Sequence, residues 1–206
     1  MEVYTRATIP QQWARTQNNL AKALVAGGNW LGAARATEGV LELYPDQEEA
    51  LSRLASIYEE HLFDYDRALL LFQKLSAMNR TVGDVENLGE ALLANSRFAD
   101  CDKEWAALTN EKLSSNHFPL RDTFRLACQS AAGDSTAARA TATDLASATL
   151  ENLSWSFNGT LHFLSTSAAF ADHRDAWVGL FTALDKADTS AFRAALREIQ
   201  TSLNNR

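Results

Sequence analysis

The chain has 206 residues, 46% of them hydrophobic and 22% charged, which is ample apolar content for a buried core. Its formal charge of −7 argues against nucleic acid as a partner, since that binding relies on Lys and Arg to neutralise phosphates. Three prolines, at 10, 45 and 119, are the only ones present and no low-complexity linker interrupts the chain, so one continuous domain is expected.

Read in chain order, the elements repeat. Leu20, Leu54 and Leu88 stand 34 residues apart, and a helix-pair pattern keeps step with them. Each repeat opens with a helix, expected over residues 16–26, 50–61 and 84–95. A turn follows: Gly27-Gly28-Asn29, Leu62-Phe63-Asp64 or Asn95-Ser96-Arg97. The second helix starts beside an aromatic residue, Trp30, Tyr65 or Phe98. Three positions later comes a small side chain, Ala33, Ala68 or Cys101, and seven after that an aliphatic one, Val40, Leu75 or Leu108. The second repeat carries one extra residue near Phe63. Small residues here and at Ala21, Ala55 and Gly89 let two amphipathic helices interlock closely. One helix pair cannot bury its own apolar face, so such units must stack.

These positions resemble the tetratricopeptide repeat family, whose pattern is Trp-x2-Leu-Gly-x2-Tyr followed by Ala, Phe, Ala and Pro. Pro45 stands where the closing proline belongs. The tryptophan position departs from the pattern, with Gln17, Leu51 and Val85, and the later closing prolines become Arg80 and Leu113. The resemblance covers residues 10–112. It implies an all-α, TPR-like α-solenoid of about four helix-turn-helix units with a helical C-terminal cap. Residues 10–115 hold three clear repeats, 116–150 a divergent fourth and 151–206 the capping helices. The block from Pro10 to Leu20 is similar to tandem repeats in large bacterial multidomain proteins. Met1-Glu2-Val3-Tyr4 also resembles Leu41-Glu42-Leu43-Tyr44, so residues 1–9 read as the remnant of a preceding helix. A short native protein with a frayed first helix is the alternative.

Beyond Ser114 the helical periodicity continues. Pro119 suits a first helical turn capped by Ser114, Ser115 or Asn116, and Phe124, Leu126, Ala127 and Ala131 form its apolar stripe. Gly133-Asp134 turns the chain into a helix expected over 137–150. Between Glu151 and Asp172 no charged residue occurs. That length suits a membrane helix, but Asn152, Ser154, Ser156, Asn158, Thr160, Ser165, Thr166 and Ser167 argue for a buried cap instead. Two amphipathic helices close the chain, over 173–185 and 189–203, with Asp172 and either Asp188 or Thr189 as caps.

Catalysis finds no support. Cys101 occupies a packing position, and His61, His117, His162 and His173 lack the spacing of a metal site or dyad. No phosphate loop or nucleophile elbow is present, so no enzyme activity, cofactor or metal is expected. Cys101 and Cys128 are expected as free core thiols, which with no apolar run in residues 1–9 points to a reducing, cytoplasmic location.

Binding is the better reading. Solenoids of this kind hold peptides or helices in a concave groove lined by the first helix of each unit. By register that groove carries Arg15, Asn18, Asn19 and Lys22, then Glu49, Ser52, Arg53, Ser56 and Glu59, then Glu86, Asn87, Glu90 and Leu93. Asn19, Arg53 and Asn87 share one position, and asparagine both donates and accepts, which suits a peptide backbone. The family's two-carboxylate clamp is not reproduced, because its lysine-asparagine order is reversed at Asn18 and Lys22 and its later cations are Gly83 and Asn87. Two functions follow: a groove that binds a protein or peptide partner, or a scaffolding segment that docks through residues 152–171 onto another domain of a larger chain.

Overall fold

The computed structural model describes residues 9–205, with Asn116 described by its backbone alone. The expected helix remnant at 1–8 and the tail residue Arg206 lie outside the described residues. The described residues are helical, with no strand among them, so the all-α class holds. The helices cluster into two compact units that divide between Met78 and Asn79.

The N-terminal unit contains α1 (Pro10–Ala26), α2 (Trp30–Leu43), α3 (Glu48–Ile57) and α4 (Tyr65–Met78), with consecutive helices packed on one another. The C-terminal unit contains α5 (Val82–Ala94), α6 (Phe98–Ala106), α7 (Phe118–Ala132), α8 (Ser135–Leu145), α9 (Asn158–Thr166), α10 (Arg174–Asp185) and α11 (Thr189–Asn204). The aromatic starts of α2, α4 and α6 fall where the repeat places them. The first helices begin earlier than expected, at Pro10, Glu48 and Val82, because a proline or polar residue serves well in a first turn.

One turn geometry recurs. Gly28, Phe63, Ser96, Gly133 and Ala187 each adopt positive φ two residues before a new helix. In four of these turns the next residue's amide bonds the carbonyl five positions back: Asn29 to Leu24, Arg97 to Leu92, Asp134 to Gln129 and Asp188 to Ala183, at 2.8–2.9 Å. This closes the preceding helix in the manner of a Schellman motif. The exception is Asp64, whose amide reaches six back, to Tyr58 at 2.9 Å. The cause is a single π turn, Tyr58–Leu62, which holds the extra residue of the second repeat inside the helix. Side chains of Asn29, Asp134 and Asp188 then cap α2, α8 and α11.

The packing positions are buried: Ala33, Ala68 and Cys101 at 0%, with Val40, Leu75 and Leu108 beside them. The spacing extends to α8, where Ala138 and Leu145 hold the same places and are buried. Leu54 and Leu88 are buried too, but Leu20 is 45% exposed. The buried side of α1 is carried by Ala14 and Ala21.

The C-terminal core is aromatic. Trp105 stacks on Phe124 at 4.6 Å, and Phe124 meets Phe181 edge-on at 5.0 Å. Phe157, Phe163, Leu164 and Phe170, all within the 152–171 stretch that lacks Lys, Arg, Asp and Glu, are buried. Phe170 contacts Phe98, Phe163 and Trp177. No helix among the described residues is long and apolar enough to cross a membrane.

Several expectations are corrected here. Cys101 and Cys128 form a disulfide between α6 and α7, with Cα atoms 6.0 Å apart, in place of two free thiols. Packing of α6 on α7 sets the two small-residue positions within bridging distance. The argument for a reducing compartment rested on those thiols and falls with them. A 3-10 turn, Ser115–His117, precedes α7, whose N-cap is His117 without a side-chain cap, so none of the three proposed residues caps it. Likewise α10 follows a 3-10 segment, Ala168–His173, and is N-capped by His173, not Asp172. Helix α8 starts at Ser135 and stops at Leu145, not Leu150, after which a twelve-residue connection leads to α9.

Candidate functional site

The candidate site belongs to the N-terminal unit. Arg15, Asn18 and Lys22 lie at i, i+3 and i+7 on α1, and Glu49, Arg53 and Ser56 lie at i, i+4 and i+7 on α3, so each set shares one face of its helix. The structure brings the two faces together. Asn18 Oδ1 accepts from Arg53 Nη1 at 3.1 Å, and Glu49 Oε1 accepts from Arg53 Nη2 at 2.8 Å. Lys22 Nζ reaches the same carboxylate oxygen at 2.9 Å. The Arg53 side chain is only 13% exposed, a position that a guanidinium tolerates when its donors are satisfied. Its two partners therefore fix it in place.

Glu49 responds to these cations. A hydrogen bond from Lys22, then the charges of Lys22 and Arg53, hold its carboxyl below the ordinary glutamate value. The pair is exposed, so each ion pair contributes less than about 1 kcal/mol. The role of this ladder is placement, not stability.

Beside the ladder opens a cavity of about 740 Å³. Ala14, Arg15 and Asn18 of α1 form one side, and Leu43 at the end of α2 with Tyr44 and Pro45 of the α2–α3 connection forms the other. Lys74 closes the rim, donating to the Pro45 carbonyl at 2.6 Å and pairing with Asp46 at 2.8 Å. Among the described residues Arg15 has no ionic partner. The volume falls in the range of ligand pockets, and its wall mixes apolar surface with a few polar groups. Sequence spacing pointed to Arg15 and Asn18. It missed Leu43 and Tyr44, because helix register says nothing of how a connecting loop folds back.

The other expected groove residues are placed differently. Asn19 and Ser56 are exposed, and the Ser56 hydroxyl donates to the Ser52 carbonyl within α3. Asn87 is half-buried on α5. Glu86 and Glu90 are 3% and 2% exposed and face the protein interior of the C-terminal unit, not an open groove. Glu86 bonds His117 Nδ1 at 2.8 Å. Glu90 accepts from the Trp155 indole N–H at 3.0 Å and from the Thr160 hydroxyl. Trp155 and Thr160 thus seat the 152–171 stretch on α5 and satisfy the Glu90 carboxylate, which is costly to bury alone. Of the aromatic side chains in this stretch, Phe157, Phe163 and Phe170 are buried and Trp155 is half-buried.

Cys101, His61 and Tyr58 each have a structural partner. Cys101 is bonded to Cys128. His61 stacks face to face on Trp30, centroids 3.5 Å apart, and burial lowers its pKa. Tyr58 donates to Glu38 and accepts from Arg67 at 2.8 Å; burial first, then Glu38, pushes its hydroxyl up to about 12. No protein-family model matches the chain, and no curated protein matches it.

Proposed function

We propose that the protein is a non-enzymatic, tetratricopeptide-like interaction module that binds a peptide or protein partner on the first-helix face of its N-terminal unit. The helix pairs support the repeat reading through their shared turn bond, buried small positions and aromatic helix starts. The observation that carries the binding reading is the joined polar row Asn18, Arg53, Glu49 and Lys22 beside a cavity whose Arg15 is unpaired among the described residues. A purely structural face has no need to immobilise a nearly buried arginine next to an open hollow. Preorganised side chains of this kind lower the ordering cost of binding.

The test is selection from a random displayed-peptide library against the whole chain, followed by binding of the selected peptides to Arg15→Ala, Lys22→Ala and Arg53→Ala variants. Peptides that bind the parent protein and lose affinity with these variants support the site. Peptides that bind all variants equally place the binding surface elsewhere, and failure to select any removes the reading.

A further inference from the structure

We infer that the cavity of the N-terminal unit takes an internal acidic peptide segment, gripped through its side-chain carboxylates with a neighbouring apolar side chain on the cavity floor. This rests on the binding reading above and specifies its ligand. The chain carries a net charge of −7, yet the charged groups at this cavity and in contact with its wall run the other way. They are Arg15, Arg53 and Lys74 against Asp46, while Lys22 and Glu49 stand behind Arg53 as an ion pair. Both acids are already engaged, Glu49 by Lys22 and Arg53, and Asp46 by Lys74. What remains for a ligand is the guanidinium of Arg15, which offers paired donors that match a carboxylate.

Asn18 adds direction. Its carbonyl oxygen accepts from Arg53, so the side-chain group left for a ligand is the amide N–H pair, again a donor. Two donors on one wall of the cavity, with no unpaired acid lining it among the described residues, select an anionic acceptor and reject a basic one. The opposite wall, Leu43, Tyr44 and Pro45, together with Ala14, offers apolar surface to the side chain next to the carboxylate. At about 740 Å³ the hollow accommodates a few residues of extended or helical peptide, not a folded domain.

The experiment uses fluorescently labelled peptides with both ends blocked, one built of alternating Glu and Leu, one with Gln for Glu and one with Lys for Glu. A fourth is the Gln peptide with a free C-terminus. Anisotropy titrations against the whole chain are expected to show the Glu peptide binding at least about tenfold tighter than the Gln peptide, as charge-assisted hydrogen bonds imply. Added salt weakens it, and Arg15→Ala removes most of that advantage while Arg15→Lys keeps part. Arg15 is exposed, so its variants fold normally, as thermal melting checks. Tighter binding of the Gln or Lys peptide overturns the acidic specificity and leaves the site standing. So does binding that needs the free C-terminus. Binding of none of the peptides, with none selected from the library, overturns both.

Discussion

A Cβ placed on Gly89 of α5 would sit 2.4 Å from Nε1 of Trp105, so the two helices of this pair touch through bare backbone. Trp105 has nowhere to move: it is 0% exposed and stacked on Phe124 at 4.6 Å. Gly89→Ala is therefore expected to destabilise the protein by roughly 1–3 kcal/mol through overpacking. Gly83→Ala is the control, since its new Cβ would find only Thr81 Oγ1, at 4.0 Å. Urea unfolding should separate the two. Equal stabilities for these variants would mean that the α5–α6 crossing is looser than its geometry.

The Cys101–Cys128 bond closes a loop of sequence separation 27 between α6 and α7. In the chain-entropy account, cross-linking a loop of this length stabilises by about 3–4 kcal/mol. Reduction, or the double change Cys101→Ala with Cys128→Ala, should lower the unfolding midpoint accordingly. Thiol titration of the oxidised, denatured protein should find no free sulfhydryl. Two titratable thiols in air-oxidised protein would return both cysteines to the role of packing residues.

What was readable in advance was whatever depends on spacing along one helix pair. The starts of α2, α4 and α6, the buried Ala33 and Ala68, and the extra residue that becomes the π turn all follow from local register. What was not readable depends on distant segments. Glu86 and Glu90 have register positions equivalent to those of Asn18 and Lys22, and their residue types suit a solvated face. Their burial is created by partners 31 to 70 residues away, His117, Trp155 and Thr160. The cysteine pairing was hidden for the same reason, because it depends on how α7 sits against α6. At the candidate site, Arg15, Asn18, Lys22, Glu49 and Arg53 follow from spacing, while the bridge that Glu49 makes between Lys22 and Arg53 and the far wall of the cavity emerge only in three dimensions.

Glu49 gives a pH prediction with a fixed sign. Its folded-state pKa lies below the ordinary value of 4.5, chiefly because of Lys22. A depressed carboxylate contributes stability above its unfolded pKa and loses it as pH falls through the lower folded value. The ladder should therefore be intact at neutral pH and come apart only below about 4.5, the ordinary value. A carboxyl-carbon NMR titration should place the Glu49 midpoint under that of an ordinary glutamate, and Lys22→Ala should move it upward. A midpoint indifferent to Lys22 would show that the bridge does not persist in solution.

The recurring turn makes an opposite-signed pair of predictions. Gly28 and Gly133 hold positive φ at no steric cost, whereas Ser96 and Ala187 occupy the same place with φ of 57° and 51°. A left-handed backbone costs an L-residue with a Cβ on the order of 1 kcal/mol, partly offset by the looser unfolded chain that glycine brings. Ser96 is exposed, and the bonds of its turn run through backbone atoms, Ser96 N to Leu93 O and Arg97 N to Leu92 O, so glycine keeps them all. Ser96→Gly and Ala187→Gly should each stabilise by up to about 1 kcal/mol, and Gly133→Ala should destabilise by a similar amount. Phe63 is the wrong place for this test, because its ring also contacts Tyr65 at 6.5 Å. Thermal melts of the three variants decide the matter. A lower midpoint for Ser96→Gly would mean that this turn is not left-handed in solution, and the turn shared by the helix pairs would lose its third member.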